Sequence, residues 1–419
     1  MPRLREKLEA VRRLAKSEGK FLLATFAASG VGYLGSSAAP VIVQALIEAG
    51  VRHQEAGDLG TIELSTVALS TLLMTPLVPY VSHRKLALGG ACVALVGLLV
   101  SALSSEYTAM MIGRLVIGSG SGMAISGANA AVAAREDAER IFAIIWTMGG
   151  GITAGLTKFL PHVVAGGNYA MGFATLLVLT LVAMPLLAWL PPRPRFAHAG
   201  SAASPESAQS AASAAPDRVP VEPSRSFGWM AFGVLAAVFI YSVTEQALWQ
   251  FSIEIAVSRG FDEDVASSII ASTVIMGLVG GAIAAWLGQR LGRVFPIVVG
   301  SLCSLAGRWA YISAATPETL WMGGLIWGLG FYFVSPYQIG LAAAIDRRGR
   351  VAVATASVTN LGYGLGPGIC GRIRQYQIDH GLDYSLLIAV IVGGTLLSLL
   401  LLLPVALRVD RASRAQHTA

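Results

Sequence analysis

Residues 107–134 read YTAMMIGRLVIGSGSGMAISGANAAVAA, an apolar run whose one charged group is Arg114. A helix rises about 1.5 Å per residue, so a run of this length crosses the ~30 Å hydrocarbon core of a bilayer. The stretch 320–344, LWMGGLIWGLGFYFVSPYQIGLAAA, echoes it. Gly118 and Gly120 fall onto Gly328 and Gly330 at an offset of 210, and the same offset carries Ala133, Ala134, Glu136 and Arg140 onto Ala343, Ala344, Asp346 and Arg350. Each time a glycine-bearing helix ends in small residues, then an acid, then an arginine four positions on. The shared register points to an internal duplication rather than to separate chance matches.

These two belong to a set of twelve apolar runs. The first six lie near 21–46, 62–81, 86–104, 107–134, 141–163 and 169–190, and the second six near 228–257, 265–287, 294–312, 320–344, 351–371 and 384–406. The runs are continuous rather than alternating, which excludes a lipid-exposed barrel. The expected fold is an all-α membrane protein with 12 transmembrane helices in two pseudo-symmetric six-helix bundles, 21–190 and 228–406. Parallel six-span repeats of this kind supply alternating access by rocking. Composition agrees. The 419 residues are 54% hydrophobic and 13% charged, against roughly 25% charged in soluble domains. This excludes an ordinary soluble enzyme, a disordered chain and a disulfide-built secreted module. Cys92, Cys303 and Cys370 show no pairing or metal-ligand spacing.

The basic residues set an orientation. With a cytoplasmic N-terminus, 23 of the 30 Lys and Arg residues collect on the cytoplasmic side, as the positive-inside rule requires. Arg52, Arg259, Arg372 and Arg374 fall on the other side, and three basic groups remain inside spans. Both termini are therefore expected in the cytoplasm, the bacterial inner membrane being the expected location. The net charge of +6 is accounted for by this bias, and no nucleic-acid partner is expected. No cleavable signal peptide is read at the N-terminus, because the first 20 residues are charged throughout and the apolar run that follows is too long for a removable segment. In residues 1–20, Leu4, Leu8, Val11 and Ala15 share one helical face among basic residues. That suits a short helix on the anionic inner leaflet, a frayed soluble tail being the alternative. Residues 191–227 are rich in Ala, Ser and Pro and read as a flexible cytoplasmic linker; 407–419 read as a cytoplasmic tail.

Glycines at helix faces allow close approach where lipid supplies no hydrophobic force between helices. Gly113, Gly118, Gly120 and Gly122 give span four such an edge, and Gly149, Gly150, Gly151 and Gly155 give one to span five. The densest set is GYGLGPGICG, residues 362–371, with Gly366, Pro367 and Gly371 in span eleven. The loop after span eight reads Leu287-Gly288-Gln289-Arg290-Leu291-Gly292-Arg293, and the loop after span two reads Tyr80-Val81-Ser82-His83-Arg84-Lys85. Through these motifs the chain resembles the major facilitator superfamily over essentially its whole length. Arg290, Gly292 and Arg293 match the family's loop signature, with Gln289 where the family usually has Asp. The resemblance implies a weakened or rebuilt charge lock in that loop. It implies a link to proton transfer for Arg114 and the glycines that follow it. The 362–371 stretch resembles the family's antiporter motif, which in the family belongs to span five. Spans one, four, seven and ten usually line the family's cavity.

Ionisable groups inside spans normally face a cavity or a partner. Glu245, mid-way along span seven, is the first candidate for a proton-coupling carboxylate, since burial disfavours its charged form and a nearby cation favours it. A fixed structural salt bridge is the alternative. Arg114 is open to three uses: binding a substrate carboxylate through its planar fork, influencing the proton site, or a structural bridge. Lys158 either meets substrate or snorkels outward. Trp249 lies four positions from Glu245, on nearly the same face, where it either stacks on a planar substrate or packs in the core; Gln250 follows it. Tyr33, Asn129, Tyr337, Gln338, Asn360 and Tyr363 complete the candidate substrate-binding set. Pro336-Tyr337 is expected to break span ten. Arg308 in span nine, which the family places at the periphery, is expected to snorkel or bridge locally. Glu254 is expected near the outer end of span seven, either water-exposed or in a gate bridge.

The six His residues are scattered and form no catalytic or metal cluster, and no phosphate-binding glycine loop appears. No cofactor, metal or enzymatic activity is expected, and a monomer is. Two functions remain open: a proton-coupled secondary transporter of a small organic or aromatic anion, and an efflux carrier exchanging protons for drugs or amphiphilic metabolites.

Overall fold

The computed structural model describes residues 2–78, 80–135, 138–191, 225–345 and 350–418. Twelve helices run through them: α1 (Pro2–Glu48), α2 (His53–Met74), α3 (His83–Leu103), α4 (Tyr107–Ala133), α5 (Ala138–Val164), α6 (Tyr169–Leu187), α7 (Arg225–Ser258), α8 (Glu263–Leu287), α9 (Val294–Ile312), α10 (Pro317–Ile345), α11 (Arg350–Asp379) and α12 (Ser385–Thr418). No strand occurs among the described residues. Nine helices among them are long and apolar enough to cross a membrane. The remainder include α2, which carries Glu55, Asp58 and Glu63, and α11, which carries Arg372 and Arg374. Large apolar side chains stand exposed along the outer faces, such as Leu103, Phe232, Trp286 and Leu400. Water would penalise these faces and lipid does not.

Several helix ends differ from the apolar runs. The first span continues without interruption from the N-terminal segment, so 2–20 belong to the same helix. α2 begins at His53 rather than at 62, because its first turns are polar yet still helical. α11 extends to Asp379 and α12 to Thr418. α10 passes through Pro336 as one helix, which corrects the expected break. Most of the expected linker, 192–224, lies outside the described residues, as do Glu136 and Asp346 of the repeat.

The chain divides into two compact units. Unit 1 comprises 1–49 and 62–195, and unit 2 comprises 50–61 and 196–419. The core of unit 1 is alanine-rich where α1, α3 and α4 meet, with Ala24, Ala28, Ala87, Ala91, Ala124 and Ala128 buried. The core of unit 2 gathers Val234, Ile297, Leu341, Leu402 and Val405.

The duplication is visible in the packing of each unit. A Cβ on Gly118 would strike the carbonyl oxygen of Glu63, and one on Gly328 would strike that of Thr273. Gly120 lies against the backbone of Ala94, and Gly330 against that of Ser304. Gly97 abuts the Gly113 carbonyl, and Gly307 abuts the Gly323 carbonyl. Every partner pair keeps the 210-residue offset, so α3–α4 and α9–α10 cross at the same register with backbones in contact. The α5 glycines behave differently. A Cβ on Gly149, Gly151 or Gly155 would meet nothing within 4 Å, so these three form no close-packed edge, whereas Gly150 is buried.

A side chain at a backbone–backbone crossing forces the helices apart, at a cost of about 1–3 kcal/mol. Gly120→Ala and Gly330→Ala are each expected to lower the thermal midpoint of the detergent-solubilised protein. Gly155→Ala is expected to leave it unchanged.

Candidate functional site

In unit 2 the central polar cluster forms around Glu245 on α7. Its Oε1 accepts a 2.6 Å hydrogen bond from the Trp327 indole of α10, and its Oε2 lies 3.6 Å from Arg308 Nη1 of α9. Arg308 is fully buried. It donates to Thr244 Oγ1 at 3.1 Å and to Thr395 Oγ1 of α12 at 2.8 Å, with its guanidinium over the Tyr241 ring at 5.3 Å. Of the two expectations for Arg308, the structure has the local bridge and not the outward snorkel. A guanidinium aimed inward finds a carboxylate, two hydroxyls and an aromatic face, and these replace the water it loses. Trp249 joins the cluster edge-to-face on Trp327, with ring centroids 6.3 Å apart.

In unit 1 the equivalent role falls to Arg114 on α4. Its Nη1 pairs with Glu63 Oε2 of α2, both side chains being buried. The Phe173 ring of α6 covers the guanidinium at 4.5 Å. A small cavity beside the pair is lined by Gly35, Leu98, Ser121 and Thr180 among others and leaves about 10 Å³ of room, the space of about one water. The sequence reading does not single out Glu63. The apolar run begins at 62, which put Glu63 at a helix mouth, whereas α2 starts at His53 and carries it ten residues in.

A third cluster stands at one end of unit 2. Arg374 of α11 forks onto Glu254 of α7, with Nη2–Oε1 at 2.8 Å and Nε–Oε2 at 3.3 Å. His53 Nε2, in the first turn of α2, meets the same Oε1 at 3.0 Å. Tyr384 stacks on the Arg374 guanidinium at 4.3 Å. Arg372 donates to Asp58 at 2.6 Å, and the Gly368 amide donates to Thr61 Oγ1 at 2.8 Å. Glu254 is thus buried and doubly paired, which sets aside the water-exposed alternative and leaves a bridge. The α11 glycines make these approaches possible. Gly366 faces the α7 backbone at Val243 and Ala247, and Gly371 faces that of His53 and Gly57. Pro367 lies between them with its carbonyl against Gly57.

The loop after α8 is held by a residue outside the motif. Asp410 of α12 accepts from the Arg293 amide at 2.9 Å and from the Val294 amide at 3.1 Å. It thereby caps the N-terminus of α9, where backbone N–H groups and the helix dipole favour an anion. Gly292 has φ +70° beside that carboxylate. Burial lowers the Arg293 pKa from its ordinary value while Asp410 opposes the shift. Arg290 is exposed and lies over the Trp286 ring at 5.4 Å.

The remaining candidates are dispersed. Tyr337 donates to the Gly288 carbonyl at 2.9 Å and so ties the end of α8. Gln250 and Gln338 are buried, and Gln250 Oε1 and Gln338 Nε2 have no hydrogen-bond partner among the described residues. Tyr33 is exposed and lies 6.1 Å from the Trp146 ring. Lys158, Asn129 and Tyr363 are half-buried, and Asn360 is exposed. No group of His, Cys, Asp or Glu able to hold a metal occurs among the described residues.

Removing one member of a buried ion pair strands the other, which costs about 3–5 kcal/mol. Arg308→Met is expected to lower the stability of the purified protein by that order. The double change Arg308→Met with Glu245→Gln is expected to recover most of the loss in thermal-unfolding measurements, and the absence of recovery would show that the two groups do not act as a pair.

Among curated proteins no sequence matches the chain. Solved structures with a similar fold include the peptide transporter POT, at 15% identity with 95% of this chain and 96% of that chain covered and a TM-score of 0.69. A bacterial homologue of the human lysosomal transporter Spinster has 15% identity, coverage of 94% and 96%, and a TM-score of 0.65. A D-xylose–proton symporter has 16% identity, coverage of 91% and 96%, and a TM-score of 0.67. At such identities the likeness is one of fold. The Major Facilitator Superfamily description matches residues 21–367. With two repeated helical units and this match over most of its length, the chain is an integral membrane transporter belonging to the Major Facilitator Superfamily.

Proposed function

We propose that the protein is a proton-coupled secondary transporter that moves a small organic or aromatic anion by alternating access. The observation that carries this reading is the Glu245 carboxylate. It is buried beside Arg308, and its Oε2 accepts no hydrogen bond among the described residues. A carboxylate so placed has an oxygen available for a proton and a cation whose distance sets how readily the proton binds. Trp327 fixes the other oxygen, so protonation occurs at a defined atom. Trp249, packed on Trp327, connects this centre to the next turn of α7.

The anion reading rests on Arg114 and Lys158, the two basic groups carried within the spans of unit 1. Arg114 already holds Glu63, so a substrate carboxylate reaching it takes the place of an internal one. The planar fork suits that exchange, since two carboxylates present the same bidentate face. The basic bias of the loops supports cytoplasmic termini and an inner-membrane location. The D-xylose–proton symporter named above couples a solute to protons, which supports the coupling ion though not the solute.

Proteoliposomes with an imposed inward proton gradient, screened against organic acids and cationic drugs, test the reading. An acid is expected to accumulate in the wild type. Glu245→Gln is expected to abolish gradient-driven accumulation while retaining exchange of that acid across the membrane. Full accumulation by the variant, or uptake of acids indifferent to the gradient in the wild type, would overturn the assignment.

A further inference from the structure

Two arginine–tryptophan pairs stand at the end of unit 2 where α7 begins. Arg408 of α12 lies over the Trp229 ring of α7 at 5.3 Å, and Arg290, in the loop after α8, lies over Trp286 at 5.4 Å. Both arginines and both rings are exposed. Gly292 lies against the Asp410 carboxylate, so Arg290 and Arg408 each stand two positions along the chain from one shared contact. Arg411, next to Asp410, is exposed as well. Met230, Ala284, Ile297 and Val409 share the core beneath, which gathers the ends of α7, α8, α9 and α12 at this place.

The stacking decides what these arginines offer. An aromatic ring takes the face of a guanidinium and leaves its in-plane N–H groups free, the geometry that grips a phosphate through two oxygens. Neither Arg290 nor Arg408 has a carboxylate partner among the described residues. Asp410, the acid that stands among them, is buried and already accepts from the Arg293 and Val294 amides. Its charge serves α9, and the arginines keep theirs for an outside anion. Leu291 follows Arg290 and Phe232 lies three positions from Trp229, both with exposed apolar side chains. A free phosphate gains nothing from that surface, whereas an acyl chain covers it, and tryptophan belongs at the level of lipid headgroups. A single cation–ring pair is an ordinary interfacial anchor. Unit 1 has one across its own first and sixth helices, Lys20 over Trp189 at 5.5 Å. Its loop arginine, Arg84, instead donates from Nε to the Leu190 carbonyl at 3.0 Å. Two free forks at one place are a feature of unit 2.

We propose that this end of unit 2 is a binding site for an anionic phospholipid, with the phosphodiester headgroup gripped by Arg290 and Arg408 and an acyl chain on the apolar surface beside them. The orientation proposed above puts the site in the cytoplasmic leaflet, whose surface is anionic. A lipid held there ties the α8–α9 loop to α12 from outside, as Asp410 does from within. The site stands whatever the transported solute is.

Native mass spectra of the full-length protein in detergent, titrated with dioleoyl phosphatidylglycerol or dioleoyl phosphatidylcholine, test the proposal. The wild type is expected to retain phosphatidylglycerol in preference to phosphatidylcholine. A surface arginine contributes about fivefold to the attraction of anionic lipid, so Arg290→Gln with Arg408→Gln is expected to weaken the tightest phosphatidylglycerol site about 30-fold. Lys20→Gln, which removes a cation–ring pair from unit 1, is expected to leave that site unchanged. In thermal unfolding, phosphatidylglycerol is expected to raise the midpoint of the wild type and not that of the double variant, and inorganic phosphate to raise neither. Equal retention by wild type and double variant, or an equal loss in Lys20→Gln, would overturn the proposal by assigning the lipid to diffuse charge. A midpoint raised by inorganic phosphate as much as by phosphatidylglycerol would overturn it in favour of a plain anion site.

Discussion

A guanidinium inside an apolar helix bundle is stable only while something anionic or strongly polar faces it, because leaving water costs each buried ion several kcal/mol. Both units of this transporter are arranged around that constraint. Arg308 is met by Glu245, Thr244, Thr395 and the Tyr241 ring. Arg114 is met by Glu63 and the Phe173 ring. At the end of unit 2, Arg374 is met by Glu254 and Tyr384. In each case an aromatic face and a carboxylate share the work, and the helices supplying them cannot slide without changing the charge balance. A proton arriving on the carboxylate alters the same balance. This gives a transporter of this fold a physical route from protonation to movement.

The glycine crossings supply the complementary property. Backbones in contact at Gly97 and Gly120, and again at Gly307 and Gly330, bind α3 to α4 and α9 to α10 as stiff pairs, while Gly118 and Gly328 bring α4 against α2 and α10 against α8. Stiff pairs carry a local change at one residue over the length of a helix. The α11 glycines differ in serving two neighbours at once, α7 at Gly362 and Gly366 and the first turns of α2 at Gly371.

Much of this was legible in the sequence. Apolar runs of bilayer length identified all twelve helices, and the 210-residue offset found in span four and span ten reappears as matched packing contacts. Glu245 and Arg114 stood out because charge in hydrocarbon is rare. What stayed hidden was pairing, which is a tertiary property. Glu63 escaped because α2 begins with polar turns that do not look like a span. Arg308 was set aside on the family's usual placement of span nine, yet side-chain direction, not helix location, decides what an arginine meets. Asp410 was assigned to a tail, because nothing local to 407–419 shows that α12 continues and delivers a carboxylate to the start of α9. Gly149, Gly151 and Gly155 of α5 show the converse, since small residues permit close approach without requiring it.

The claim at the centre of this account is that a buried carboxylate carries the proton that accompanies the solute. The most direct measurement places a pH-sensitive dye inside proteoliposomes and adds the transported anion outside with no gradient imposed. Anion entry is expected to acidify the lumen in the wild type and to leave it unchanged in Glu245→Gln. Equal acidification in the two would contradict the account.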